Sequence, residues 1–352
     1  MRAARLHGPA DIRIDEVDDP PDPGPHQVVV APLWSGLCGT DVKEFTGHGG
    51  SVAATPHPLT GACIPLILGH EFSARVVAVG PNVDDVAAGD EVVVMPLQYC
   101  GRCAACLAGR HTHCQLKAWT GLSSPWGGFG DLALVESYQL TPLDGISALA
   151  GAVVEPAAVA MNAAMRAGIG PGDSVFVAGA GAIGALTVMA ARAAGAASVY
   201  VFDPNSKRAE YVAALGAEVV PEDEPARIAQ FLRDRTGGLG VDVSMDCAGK
   251  PQAMTACVQA VRTGGKVGIP AVHPGSIPVD VRRLTRDDLT IVGSIGYSRE
   301  TWEKTVRMVR AGLLPVERIV TARIERDQIV EKGFVVLAQP SHEIKVLVQV
   351  NR

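Results

Sequence analysis

Residues 174–203 read SVFVAGAGAIGALTVMAARAAGAASVYVFD. The first five, Ser174-Val-Phe-Val-Ala178, form a short β-type run, and Ser198-Val-Tyr-Val-Phe202 forms a second. Between them Gly179-Ala-Gly181-Ala-Ile183-Gly184 opens an alanine-rich stretch at 182–194 that predicts a helix. Strand, glycine turn, helix and strand make one unit of a parallel sheet. Its glycines stand where a tight turn, a pyrophosphate and close helix–strand packing leave no room for a side chain. The helix start then offers free N–H groups to phosphates. Asp203, at the end of the second strand, can accept hydrogen bonds from the adenosine ribose and repel a 2′-phosphate, which selects NAD over NADP. Asp203 as cap of the helix beginning near Ser206 is the alternative. Ile183 in the turn and Arg208 beyond Asp203 complete the expected cofactor-binding set.

Outward from this stretch the same rhythm continues. Further strands are expected at 241–245, 266–269 and 290–293, with helices ending near 216 and at 252–262, about six strands in all. The first 150 or so residues differ: Gly, Pro and short runs such as 28–31, 74–79 and 91–94 predict an all-β, barrel-like unit. After a helix at 301–311, the apolar strand 344–350 is expected to return to that first unit. The expected domains are therefore 1–153 with 297–352, and 154–296.

A chain of 352 residues, 47% hydrophobic and 19% charged, has material for two cores. Its net charge of -6 argues against nucleic acid as a partner. No run has the length of a signal peptide or a bilayer span, so no membrane is expected and the location is read as cytoplasmic. In a reducing compartment eight cysteines call for metal sooner than for disulfides.

Cys100, Cys103, Cys106 and Cys114 fall within one loop-like stretch. Four thiolates fill a tetrahedral zinc and leave no open position, so this centre is expected to be structural. His111 and His113 stand nearby as substitute ligands. Elsewhere Cys38-Gly-Thr40-Asp41 and Gly69-His70-Glu71 offer sulfur, imidazole and carboxylate, and Glu155 in Val154-Glu155-Pro156 offers another oxygen. A catalytic zinc needs a mixed set of this kind with one position open.

The Cys38 motif, Gly69-His70-Glu71, the four-cysteine loop, Val154-Glu155-Pro156 and the glycine unit, in that order along the chain, resemble the zinc-containing medium-chain dehydrogenase/reductase superfamily over essentially the whole chain. The segment His57-Pro-Leu-Thr-Gly61, the step from Cys38 to His70 and Leu68-Gly-His-Glu-Phe-Ser73 resemble the butanediol (acetoin) dehydrogenases most, then sorbitol and other polyol dehydrogenases. The resemblance implies an α/β chain with a GroES-like catalytic domain and a Rossmann doubly wound domain. It implies two zincs per chain and NAD(H): Cys38, His70 and Glu155 at the catalytic zinc, Glu71 beside them as an alternative ligand, and Thr40 passing the substrate proton onward. Two departures stand out. Lys43 occupies the position where many relatives end the proton relay with histidine. Met161-Asn162 replaces an aromatic and a histidine and, with Trp119 and Trp126, implies a differently shaped pocket.

The expected substrate is a small secondary alcohol or its ketone, a vicinal diol of the 2,3-butanediol/acetoin kind. A polyol, a cyclitol or a larger secondary alcohol is the alternative. The chain is expected to form a homodimer or homotetramer. A zinc-free reductase on the same fold lacks a use for Cys38 with His70, and a zinc-stabilised binding module lacks a use for the second ligand set.

Overall fold

The computed structural model describes residues 1–52 and 54–351 of the chain. It divides into two compact units, Met1–Glu155 with Val320–Arg352 and Pro156–Ile319. The C-terminal strand thus does return to the first unit. The second joint falls after Ile319, later than the expected 297. The helix Arg299–Arg310 buries Trp302, Thr305, Val306 and Val309, and the turn Val316–Ile319 packs on the helix Ala182–Ala193. That packing keeps 297–319 with the second unit.

The first unit is built on strand Gln27–Gly36, whose Val28 and Val30 are fully buried. It pairs antiparallel with Phe72–Val79, Ala133–Glu136 and Lys345–Gln349, and the last runs parallel to Val320–Glu325. Phe72, Ala74, Val92, Val94 and Val135 close one core, and Leu6, Leu68, Phe129, Phe334 and Val346 another. Burying each Phe ring contributes about 2–3 kcal/mol. Two N-terminal strands, Arg2–Gly8 and Asp11–Glu16, form a separate small sheet with Leu66–Ile67.

In the second unit we number the strands β1 Ser174–Ala178, β2 Ser198–Phe202, β3 Glu218–Val219, β4 Val241–Asp246, β5 Val261–Ile269 and β6 Thr290–Gly293. Their order in the sheet is β3-β2-β1-β4-β5-β6, all parallel. The order reverses between β1 and β4, and dinucleotides bind outside the carboxyl ends of the strands at such a point. Val175, Phe176, Val177 and Ala178 are fully buried, as strands covered on both faces require.

Candidate active site and metal centres

The glycine turn connects β1 to the helix Ala182–Ala193. Gly184 lies so close to the first turn residue that an added Cβ would collide with the Gly179 carbonyl oxygen, whereas one on Gly181 would meet nothing within 4 Å. The first glycine contact serves packing, and the second leaves space for a ligand. Ile183 is half-buried in the opening turn of the helix.

Asp203 Oδ2 accepts a hydrogen bond from Ala180 N–H at 2.7 Å and Oδ1 accepts from Asn205 N–H at 2.8 Å. The carboxylate is therefore clasped to the glycine turn, with lone pairs left for further donors. The helix Ser206–Ala213 is capped instead by Asn205, whose side-chain oxygen accepts from Arg208 N–H at 3.3 Å. Arg208 lies in the first turn of that helix.

In the first unit Cys38 is the N-cap of the short helix Gly39–Phe45, and Asp41 reaches back to accept from Cys38 N–H at 2.9 Å. His70 follows Gly69, and its Nδ1 lies 3.3 Å from Asp41 Oδ1. Neither of those two atoms has a hydrogen-bond partner among the described residues, so the approach is one of charge rather than a formed hydrogen bond. Asp41 thus holds the Cys38 backbone with one oxygen and places the other beside the His70 ring. The ligand atoms of Cys38, His70 and Glu71 lie within 4.8 Å of one another. Glu71 is also ion-paired with Lys345, whose Nζ donates to Leu37 O at 3.1 Å. Gly36 makes room for this pair, since a Cβ there would come within 2.7 Å of Lys345 Cε.

The local field is negative. Burial opposes charge on His70, yet the Asp41 carboxylate and the Cys38 sulfur hold its pKa well above the ordinary value. Burial likewise opposes the Lys345 ammonium, and Glu71 and Cys38 outweigh it and raise its pKa. A site that stabilises cations and offers S, N and O donors fits a zinc ion. Glu155, buried in the first turn of the helix Val154–Ala167, is not a member of the cluster formed by Cys38, His70 and Glu71. Thr40 is half-buried in the same short helix as Asp41, and Lys43 is exposed.

Cys100, Cys103, Cys106 and Cys114 form the second cluster. Their sulfurs stand 4.0 Å apart between Cys100 and Cys106, 3.6 Å between Cys103 and Cys106, and 3.5 Å between Cys100 and Cys114. A tetrahedron with Zn–S bonds of about 2.3 Å has S···S edges of about 3.8 Å. These three distances bracket that edge, so the donor set fits zinc. Backbone N–H groups of Cys100 and Leu116 donate to Cys114 Sγ at 3.4 and 3.3 Å. Backbone N–H groups of Cys106 and Gln115 pull the Cys103 pKa down to about 6, while burial pushes Cys106 up to about 12. His111 is stacked on Tyr99 with ring centroids 3.9 Å apart, which gives it a packing role.

Sequence reading passed over Asp41 as a functional residue and Lys345 altogether. Asp41 was visible inside the Cys38 motif. The signal for Lys345 was a lone cation in an otherwise apolar strand, 344–350. Of the pocket-shaping candidates, Asn162 donates to Ser294 Oγ at 2.9 Å, and Trp119 and Trp126 pack against the core of the first unit.

Two family models match this chain: an alcohol dehydrogenase GroES-like domain over residues 24–145 and a zinc-binding dehydrogenase over 182–311. The (R,R)-butanediol dehydrogenase of Bacillus subtilis is 32% identical over 354 residues, covering 100% of both chains. The sorbitol dehydrogenase of the same organism is 29% identical over 357 residues, covering 100% of this chain and 98% of its own. A Sinorhizobium meliloti protein assigned to the zinc-binding dehydrogenases, solved with bound NADP, superposes with a TM-score of 0.87 at 29% identity. It covers 99% of this chain and 98% of its own.

Proposed function

The chain belongs to the zinc-dependent medium-chain alcohol dehydrogenases, and from that premise we propose that it is an NAD-dependent dehydrogenase of small vicinal diols. It is an oxidoreductase that acts on a secondary alcohol with zinc and a nicotinamide cofactor. The observation that carries this reading is the cluster of Cys38, His70 and Glu71 in a chain that also places Asp203 directly after β2, beside the glycine turn.

A zinc held here would supply Lewis acidity toward the substrate hydroxyl, and a bound nicotinamide would supply the hydride acceptor. Cys38 and His70 would hold the catalytic ion, with Glu155 as third ligand, because Glu71 is already engaged by Lys345. Asp41 keeps His70 oriented, the service a carboxylate gives a metal-ligating imidazole. Thr40 Oγ1 would accept the hydroxyl proton and pass it towards solvent. The four cysteines would hold a second, structural zinc. Asp203 has oxygens available for ribose hydroxyls, and its charge disfavours a 2′-phosphate, which supports NAD.

The substrate assignment rests on the segment 57–61. Its turn is closed by Gly61 N–H to His57 O at 2.7 Å and anchored by Thr60 Oγ1 to Ser123 O at 2.5 Å. The butanediol dehydrogenase relative points the same way. A second hydroxyl on the substrate gives a second anchor and raises the population of reactive geometry. The test is oxidation of 2,3-butanediol, 2-butanol and sorbitol with NAD. Efficiency for 2,3-butanediol at least tenfold above 2-butanol supports the reading, and preference for sorbitol or a bulky alcohol overturns it.

The chain is further proposed to be a homodimer or homotetramer. β6 is the edge of its sheet, and Ile295 beside it is 57% exposed. Sedimentation as a monomer would refute this.

A further inference from the structure

Two loops close the carboxyl edge of the second unit's sheet, and one buried carboxylate ties them together. Asp246 ends β4 with a side chain 0% exposed. Its Oδ1 accepts from Ala248 N–H at 3.0 Å and Gly249 N–H at 2.9 Å, which shapes the loop after β4. Its Oδ2 lies 2.9 Å from His273 Nε2, in the loop after β5, and its backbone oxygen accepts from Ala271 N–H at 3.3 Å. The loop after β4 rests on the glycine turn: a Cβ on Gly179 would come within 3.0 Å of Ala248 N.

The protonation of the ring follows from its partner. A carboxylate only accepts, so Nε2 carries the proton, and in the neutral ring Nδ1 is left as an acceptor. Nδ1 is buried and has no hydrogen-bond partner among the described residues. An acceptor held in place by a fully buried carboxylate, yet given no donor by the chain, suits a donor that arrives with a ligand. The position says which ligand. Asp203 lies after β2, on one side of β1, and Asp246 ends β4 on the other, so the two carboxylates flank the switch point. A dinucleotide with its adenosine ribose at Asp203 extends its other half over β4 and β5.

We propose that His273, held by Asp246, is a positioning residue for the nicotinamide half of the dinucleotide, with Nδ1 accepting from a donor on that half. The donor is a ribose hydroxyl or the carboxamide amine. The proposal rests on the use of a nicotinamide cofactor and not on the choice between NAD and NADP, which share that half.

The test uses the zinc-loaded full-length protein and two variants. His273→Gln can keep a donor on Asp246 while losing the ring acceptor. Asp246→Asn keeps an oxygen for the Ala248 and Gly249 N–H groups but presents an amide donor to Nε2, which makes Nδ1 a donor. Affinities are measured by fluorescence titration with the reduced dinucleotide that the wild type binds more tightly, and by competition with ADP-ribose and ADP. Both variants are expected to bind the dinucleotide about tenfold more weakly, with ADP changed less than twofold. Equal weakening of ADP and dinucleotide would mean a merely structural role and overturn the proposal, as would unchanged dinucleotide binding. ADP-ribose separates the two donors: loss matching the dinucleotide assigns the ribose hydroxyl, and affinity retained assigns the carboxamide. If Asp246→Asn fails to fold, His273→Gln alone carries the same ratios.

Discussion

Lys345 and Glu71, 274 residues apart in the chain, form an ion pair buried beside Cys38 and His70, with side chains 1% and 2% exposed. Breaking one partner leaves a charge in the protein interior without compensation. Lys345→Met is expected to cost about 3–5 kcal/mol of unfolding free energy. Glu71→Gln combined with Lys345→Met should recover part of that loss, because no lone charge remains. Urea denaturation of both variants checks the order. A single variant as stable as wild type would contradict the pair's importance.

The third zinc ligand can be assigned by metal analysis. Glu155→Ala is expected to lose the catalytic zinc and most of kcat while keeping the structural zinc. Glu71→Ala is expected to retain two zincs, since its carboxylate belongs to Lys345. Zinc loss confined to Glu71→Ala would exchange the two roles.

The four-cysteine cluster predicts a coupling of metal and stability. Cys103→Ser should lower Tm and reduce zinc to one ion per chain, because binding energy at a closed site is folding energy. A chelator titration that follows zinc release and Tm together checks it. A variant with two zincs and an unchanged Tm would refute the assignment.

Asp203→Ala removes the charge beside the glycine turn. The ratio of kcat/KM with NADP to that with NAD should rise on the order of tenfold. The effect should lie mainly in KM for the dinucleotide. An unchanged ratio would remove Asp203 from cofactor choice.

Asp242 supplies a pH dependence of stability away from the metals. Burial raises its pKa, but the Ser174 N–H and hydroxyl and the Arg262 guanidinium outweigh burial and hold it below the ordinary carboxylate value. A folded-state pKa below the unfolded one gives stability that is complete above the unfolded value and lost as pH falls through the folded one. The gap in unfolding free energy between wild type and Asp242→Asn should therefore be widest near neutrality and close under acid. A gap independent of pH would show that the contribution is not electrostatic.

The sequence by itself determined what is encoded between near neighbours. The strand–glycine–helix–strand unit at 174–203 shows in its periodicity, and Cys100, Cys103, Cys106 and Cys114 cluster as a set because one loop carries all four. Cys38 with Asp41, and His70 with Glu71, were legible as motifs for the same reason. Tertiary structure alone decided which of these motifs meet, and which further residues join them. Antiparallel pairing of Lys345–Gln349 with Gln27–Gly36 brings Lys345 to Glu71, and adjacency of β4 and β5 brings His273 to Asp246. The alternation of a strand says which face a residue takes, but the partner on that face depends on strand order and register. Those are set by burial of whole sheets, a quantity summed over residues far apart in the chain, so no local spacing reports it.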